Sequence, residues 1–117
     1  ENAVERIRHF FREYAVYNSE ISLFALTKVL YNSDNTCFHR ESGSGMVQLL
    51  TECIQYGLDR GELSSGHTAA EIGNFLMVCI RGLVYDWCIS DGSYDLKERM
   101  KVYVDVLLMP FCTTPRQ

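Results

Sequence analysis

The chain has 117 residues, of which 47 % are hydrophobic, 12 % aromatic and 22 % charged. A domain of this length buries roughly 60 to 70 % of its unfolded surface, so this composition indicates one globular domain and excludes a disordered chain. The formal net charge is −4, which leaves no excess of cations to release counterions from a phosphate backbone. We therefore do not expect this chain alone to bind nucleic acid.

The five cysteines form no CxxC pair, and an odd number cannot all pair within one chain. Three of them lie inside apolar helical patterns, where a free thiol behaves as a small hydrophobe, and this favours a reducing, cytoplasmic compartment. No basic segment followed by an apolar one opens the sequence, and charged residues interrupt its most apolar stretch, 69–89. We expect neither a secretory signal nor a membrane-spanning segment.

Apolar residues recur at helical spacing along the chain, and no segment alternates with the period of a strand, which predicts an all-α domain of five helices. The first helix is predicted over 2–17, and the second over 18–31, where its first two residues, Asn and Ser, are capping candidates. A turn-rich segment, 32–45, is interpreted as a loop. The third helix is predicted from about 44 to 60, with Gly61 as its C-terminal stop.

The boundaries of the last two predicted helices follow from capping and turn residues. Thr68 and Glu71 have the spacing of a capping box at the start of the fourth helix, which runs to about residue 90. An Asp-Gly pair ending at Gly92 closes it. The fifth helix is predicted to begin at Asp95 and must finish by Pro110, which cannot continue a helix cleanly.

The fourth predicted helix is apolar around almost its whole circumference, whereas packing on one core needs a stripe little wider than about 100°. The fifth helix has a core pattern and a second apolar flank of Val102, Val106 and Met109. Two explanations remain open. The fourth helix is the central helix of a monomer, or two copies cover each other's last two helices in a four-helix bundle. The second flank favours the homodimer, and Gly82 would allow close backbone approach there. The predicted interface residues are Leu76, Gly82, Leu83, Trp87, Met100, Tyr103 and Leu107.

Several short patterns follow one another in a characteristic order. NSEI at 18–21 leads into an apolar helix, RGEL at 60–63 follows the third helix, RGLV at 81–84 precedes Trp87, and DL at 95–96 opens the last helix. In type and order they resemble the C-terminal domain of TetR-family transcriptional regulators over nearly the whole chain, with serine where the family tends to have proline in the first pattern.

This resemblance implies a homodimeric, non-enzymatic, cofactor-free regulatory domain, part of a transcriptional repressor that responds to a small apolar or aromatic effector. The family's helix-turn-helix has no counterpart here, so DNA contact is expected only through a missing N-terminal part. The implied pocket lies among the first four helices, with these candidates: Phe11, Tyr14, Phe24, Tyr31, Cys53, Tyr56, Asn74, Met77, Arg81 and Tyr85. Alternatively, these side chains are close-packed and the chain is a helical interaction module without a ligand.

Metal binding and catalysis have little support in the sequence. Cys37 and His39 could supply two soft ligands, but a structural zinc site normally needs four ligands in recognisable pairs. As a nucleophile pair, the same residues have no evident orienting acid or oxyanion donor. We therefore expect no metal site and no enzymatic activity.

Overall fold

A computed structural model describes residues 2–21 and 44–113, and the statements below refer to these residues. A π-helical turn, Tyr17–Ile21, continues the first helix, and a 3₁₀ turn, Met109–Phe111, follows the last. Apart from one isolated bridge between Leu63 and Cys112, this part of the chain has no β-structure, and the all-α prediction is confirmed. The described helices are α1 (Ala3–Val16), α2 (Ser44–Arg60), α3 (Ala69–Ile89) and α4 (Leu96–Leu108).

The break predicted between the first two helices is absent, because α1 runs directly into the π-helical turn. Asn18, a predicted cap, donates its side-chain amide to the Tyr14 carbonyl at 2.8 Å. Ser19 likewise donates its hydroxyl to the Ala15 carbonyl at 2.7 Å. Because the backbone stays helical through Tyr17–Ile21, both residues lie within a helix and not at the start of a new one. The rest of the second predicted helix and the loop that follows it lie outside the described residues.

Side-chain caps fix where the helices begin. Glu71 donates its backbone N–H to Thr68 Oγ1 at 3.1 Å and accepts the Thr68 N–H at 2.9 Å, which confirms the predicted capping box of α3. The same reciprocal arrangement joins Asn2 and Glu5 at the start of α1. Asp95 accepts two backbone N–H groups at the start of α4, as its predicted position implies. Because each cap bonds donors that the helix leaves unpaired, these boundaries are local properties of the sequence.

Residues with positive φ end α2 and α3. At the end of α2, Gly61 has φ +76, its N–H donates to the Leu58 carbonyl, and the next N–H, of Glu62, donates to the Gly57 carbonyl at 2.9 Å. This pair of bonds is a Schellman motif, which needs a residue that tolerates the left-handed region. At the end of α3, Asp91 has φ 59, and its N–H donates to the Cys88 carbonyl. The next N–H, of Gly92, donates to the Trp87 carbonyl, which completes the same motif. Both predicted helix stops are confirmed.

The core lies inside a ring of four helices, in which α1 and α3 each pack against both α2 and α4. Its deepest side chains come from all four helices: Ile7, Phe11, Leu50, Ile54, Leu76, Ile80, Val84, Leu96, Met100, Val104 and Leu108. Among the described helices, α3 alone has the length and mean hydropathy, 1.4, of a membrane span, and 50 % of that window is buried within the protein. Its burial accounts for much of its apolar composition.

Candidate functional site

One side of α3 is apolar and lies outside the core. Phe75, Val78, Tyr85 and Ile89 are between 45 and 56 % exposed, and Gly82 lies at the centre of the row. Successive members are three, four, three and four residues apart, so they follow one line along the helix, as side chains do where two helices pack together. We call these five residues the α3 seam.

A second exposed apolar row lies on α4. It is the second flank predicted from the sequence, together with one tyrosine, and its members are 43 to 59 % exposed: Val102, Tyr103, Val106 and Met109. We call it the α4 ridge. The two rows lie on helices that pack against each other, and at one end the ring of Phe75 contacts the ring of Phe111, just after α4, with centroids 6.2 Å apart. Together, the α3 seam and the α4 ridge form the α3–α4 face.

The α3–α4 face is large for the free surface of a monomer. Taking 150–250 Å² for a fully exposed large side chain, its eight half-exposed side chains present roughly 700 Å². The largest apolar patch on a typical monomer is about 300–600 Å², and a stable interface buries about 800 Å² on each partner. The face therefore has the size and composition of a contact surface.

Four of the seven predicted interface residues are buried by the chain's own helices and form part of the core rather than the outer face: Leu76, Leu83, Trp87 and Met100. Gly82 and Tyr103 do lie on the α3–α4 face, and Leu107 is half-buried at its margin. The correction has a simple cause. A helix that is apolar all round gives no indication of which side packs on its own core, and the prediction assigned parts of both sides to the interface.

Gly82 is exposed, and an added Cβ would meet no other atom within 4 Å. Glycine in a helix interior costs roughly 1 kcal/mol relative to alanine, so packing within the described chain gives no reason for it. Gly73, on the buried side of the same helix, differs. A Cβ there would lie 3.2 Å from Thr51 Oγ1 on α2, so the packing of these two helices leaves little room for a larger residue.

Near Tyr94, a polar contact joins the end of α3 to the start of α4. The Tyr94 hydroxyl donates to Asp86 Oδ2 at 2.9 Å, the Trp87 indole N–H donates to the Tyr94 carbonyl, and the Arg99 guanidinium stacks 3.9 Å from the ring centroid. Burial, followed by the bond to Asp86, raises the pKa of Tyr94 to about 12. The tyrosine therefore stays neutral at ordinary pH and fixes this edge of the α3–α4 face.

An apolar groove of about 540 Å³ opens between α1 and α2. We call it the α1–α2 groove. Its described lining is mostly apolar or aromatic, with one arginine, one histidine and one glutamate: Arg6, His9, Phe10, Glu13, Tyr14, Tyr17, Met46, Leu49 and Cys53. A concave apolar surface of this volume, with few polar groups, is typical of a site for a small organic molecule.

The α1–α2 groove brings together two predicted ligand residues, Tyr14 and Cys53. It also contains Phe10, Tyr17 and Leu49, which the sequence analysis did not select. Their helical spacing was visible in the sequence, but the side-by-side placement of α1 and α2 is a tertiary relationship that no local pattern encodes.

The other predicted ligand residues lie elsewhere. Phe11 and Met77 are buried in the core and lie outside the α1–α2 groove, and Phe11 lines instead a cleft between α1 and α4. Tyr56 is covered by two guanidinium groups, with Arg6 4.0 Å and Arg60 5.1 Å from its ring centroid. Three further candidates lie on α3, outside the groove: Asn74, Arg81 and Tyr85. The last two, Phe24 and Tyr31, lie outside the described residues.

A further cleft of about 790 Å³ separates α1 from α4. Charged residues of both signs line it, and ion pairs between Arg8 and Asp105 and between Lys97 and Glu20 cross from one element to the other. Because cations and carboxylates alternate along its walls, its charge does not select a class of ligand.

No group of three or more His, Cys, Asp or Glu side chains within the described ranges could hold a metal ion. The two candidate ligands, Cys37 and His39, fall outside those ranges. Of the described cysteines, Cys88 is buried and Cys53, Cys79 and Cys112 are half-buried, and none of the four forms a disulfide.

Comparison of the chain with protein-family models, curated proteins and solved structures finds no match. The function is therefore argued from the α3–α4 face and the α1–α2 groove themselves.

Proposed function

We propose that this chain is the dimerisation and effector-binding part of a ligand-responsive transcriptional regulator. A second copy binds at the α3–α4 face, and a small apolar or aromatic molecule binds in the α1–α2 groove. The observation that carries the proposal is the α3–α4 face, because so large an apolar surface is expected to be covered. The regulatory role rests on the resemblance to TetR-family regulators.

A second copy of the chain is the partner that this face fits best. In a symmetric contact the same patch is buried on both subunits, so roughly 700 Å² on each side gives about 1,400 Å² in total, within the range of stable interfaces. Two helices from each subunit would form a four-helix bundle.

The α1–α2 groove supports the sensing role. One side of α2 forms a wall of the groove, and α2 also packs on α3, where Thr51 of α2 lies close to Gly73 of α3. A ligand that binds better to one arrangement of α1 and α2 would favour that arrangement and could thereby shift the position of α3. DNA-reading segments outside this chain would respond to that shift.

The dimer is tested with a matched pair of variants. Val78 is 56 % exposed on the α3 seam and Leu49 is 53 % exposed in the groove, so glutamate at either position adds the same charge at similar exposure. We expect the unchanged chain and Leu49→Glu to sediment as dimers at micromolar concentration, and Val78→Glu to sediment as a monomer, because an interface would bury the new carboxylate unpaired. A monomeric unchanged chain, or a fully dimeric Val78→Glu, would contradict the proposal.

Effector binding is tested by titration with the fluorescent probe 1-anilinonaphthalene-8-sulfonate. In the dimer the α3–α4 face is covered, so the probe reports the groove. We expect Leu49→Glu to weaken probe binding about tenfold, which corresponds to about 1.4 kcal/mol. Gln55→Glu, exposed on α2 and outside both the groove and the α3–α4 face, is a control for a charge placed elsewhere. Equal binding by the unchanged chain and Leu49→Glu would favour the alternative, a helical interaction module without a small-molecule ligand.

The regulatory role has its own test in the sequence encoded ahead of Glu1. A basic helix-turn-helix pattern there would support it, and a different domain would contradict it while leaving the dimer and the groove open to the two preceding experiments.

A further inference from the structure

We propose that the two copies pack with their α3 helices antiparallel, and that the two-fold axis passes through Gly82. The inference rests on the proposed self-association and adds to it the orientation of the partner and the point of closest approach.

The α3 seam is nearly symmetric about its single small residue. Phe75 and Ile89 lie seven residues before and after Gly82, and Val78 and Tyr85 lie four before and three after it. All four are exposed and apolar. When two such helices cross antiparallel at Gly82, Phe75 of one copy meets the partner's Ile89, and Val78 meets the partner's Tyr85. The row is thus complementary to its own reversed copy, as an isologous contact requires.

Gly82 fits the point where the two helices cross. At a crossing the two backbones approach most closely at one place, where the absence of a side chain allows contact. In a symmetric antiparallel pair that point lies on the two-fold axis, so the single small residue of the α3 seam is expected there. The crossing also explains a glycine that meets no atom of its own chain.

The charges beside the α3 seam favour the same orientation. Glu71 and Asp86 are exposed, the first in line with the seam and the second directly beside it. In a parallel pair Glu71, in line with the seam, would face its own copy, and like charges in contact oppose association. In an antiparallel pair centred on Gly82, Glu71 lies beyond the partner's Ile89 and Asp86 faces the partner's Val78. The α4 ridge of each copy then flanks the crossing and completes the bundle.

The orientation is tested by using a short bismaleimide to cross-link variants that each have one accessible cysteine. The background replaces Cys37, Cys53, Cys79 and Cys112 with serine and keeps Cys88, which is fully buried. Phe75→Cys and Ile89→Cys are examined separately and as a mixture. Fourteen residues at 1.5 Å each separate the two positions, so the antiparallel pair places the two thiols of a Phe75→Cys dimer about 21 Å apart along the axis. We expect a cross-linked dimer from the mixture and none from either variant alone.

Other results would overturn the inference. Cross-linking of Phe75→Cys with itself would show a parallel contact while leaving the dimer intact. A chain that sediments as a dimer but gives no cross-link in the mixture would show that another surface carries the contact. A monomeric chain would contradict the proposed function itself. If Phe75→Cys prevents dimerisation, Val78→Cys is mixed with Tyr85→Cys, and Val78→Cys alone, whose thiols lie about 12 Å apart along the axis in the antiparallel pair, is the comparison.

Discussion

The backbone N–H of Ala3 donates to Glu62 Oε1 at 2.7 Å, although 59 residues separate them in the chain. The other carboxylate oxygen, Oε2, accepts from Arg60 Nε at 3.0 Å. The carboxylate thus joins the first turn of α1, whose N–H groups have no partner within the helix, to the turn that follows α2. These two bonds, the one to Ala3 first, lower the pKa of Glu62 below its ordinary value of 4.5.

Replacing Glu62 with Gln should lower stability near neutral pH and make stability less sensitive to acid. Because the pKa is lower in the folded state, the carboxylate stabilises the fold above its unfolded pKa, and the effect is lost as pH falls through the folded value. Urea unfolding at neutral and acid pH measures this, with Glu52→Gln on the exposed side of α2 as the control. Equal acid dependence in Glu62→Gln and the unchanged chain would show that the bond to Ala3 contributes nothing.

Gly57→Ala should destabilise the fold by about 1–3 kcal/mol, the usual range for overpacking a well-filled site. A Cβ at this position would lie 2.7 Å from Ala3 Cβ and 2.7 Å from Leu63 Cδ1, so α1 or the turn after α2 must move. Gly66→Ala is the control, since no atom lies within 4 Å of a Cβ there. Denaturant midpoints measure both, and equal midpoints would contradict the close approach of α1 and α2.

Thr68→Ala should cost about 1 kcal/mol, because it removes the oxygen that accepts the Glu71 N–H at the start of α3. Thr68→Ser keeps that oxygen and should lose only a small part of the stability. Thermal unfolding followed by circular dichroism distinguishes the two variants. A Thr68→Ser variant as unstable as Thr68→Ala would show that the methyl group matters and the cap does not.

Gly82→Leu should leave the folded chain as stable as before, or up to about 1 kcal/mol more stable, because leucine is the better helix former and meets no atom within 4 Å. The same change should weaken dimerisation, since the added side chain separates the two α3 backbones at their crossing. Unfolding measured on dilute, monomeric protein tests the first effect, and sedimentation tests the second. Unchanged self-association would show that Gly82 does not lie at the contact.

The helix boundaries could be predicted because the signals are local. Thr68 with Glu71, Gly61, and the Asp-Gly pair at the end of α3 each act on neighbouring backbone groups, so the sequence contains the necessary information. The start of α1 carries the same signal in Asn2 and Glu5. Asn18 shows the limit of this reasoning, since an Asn side chain can cap a new turn or bond back to the preceding one with similar geometry.

The assignment of sides and sites could not be predicted in the same way. Leu83 and Tyr85 are two positions apart on a helix with apolar residues all round, and only packing against α2 and α4 determines that Leu83 is buried and Tyr85 exposed. The α1–α2 groove depends on which helices become neighbours, a long-range outcome that helical periodicity leaves open. Of the predicted ligand residues, Tyr14 and Cys53 line the groove because they are largely apolar side chains on helices that become neighbours. Phe11 and Met77 have the same character in the sequence, but their side chains are buried in the core.

Both ends of the described chain meet at the turn after α2. Ala3 bonds to the Glu62 side chain, while Thr113 donates its N–H to the Glu62 carbonyl and its hydroxyl to the Gly61 carbonyl at 2.7 Å. A short linker could therefore join residue 113 to residue 2, and new ends could be opened in the exposed loop around Gly66. Such a circular permutant would keep all four helices and their neighbours, and both of its new ends would lie in the connection between α2 and α3.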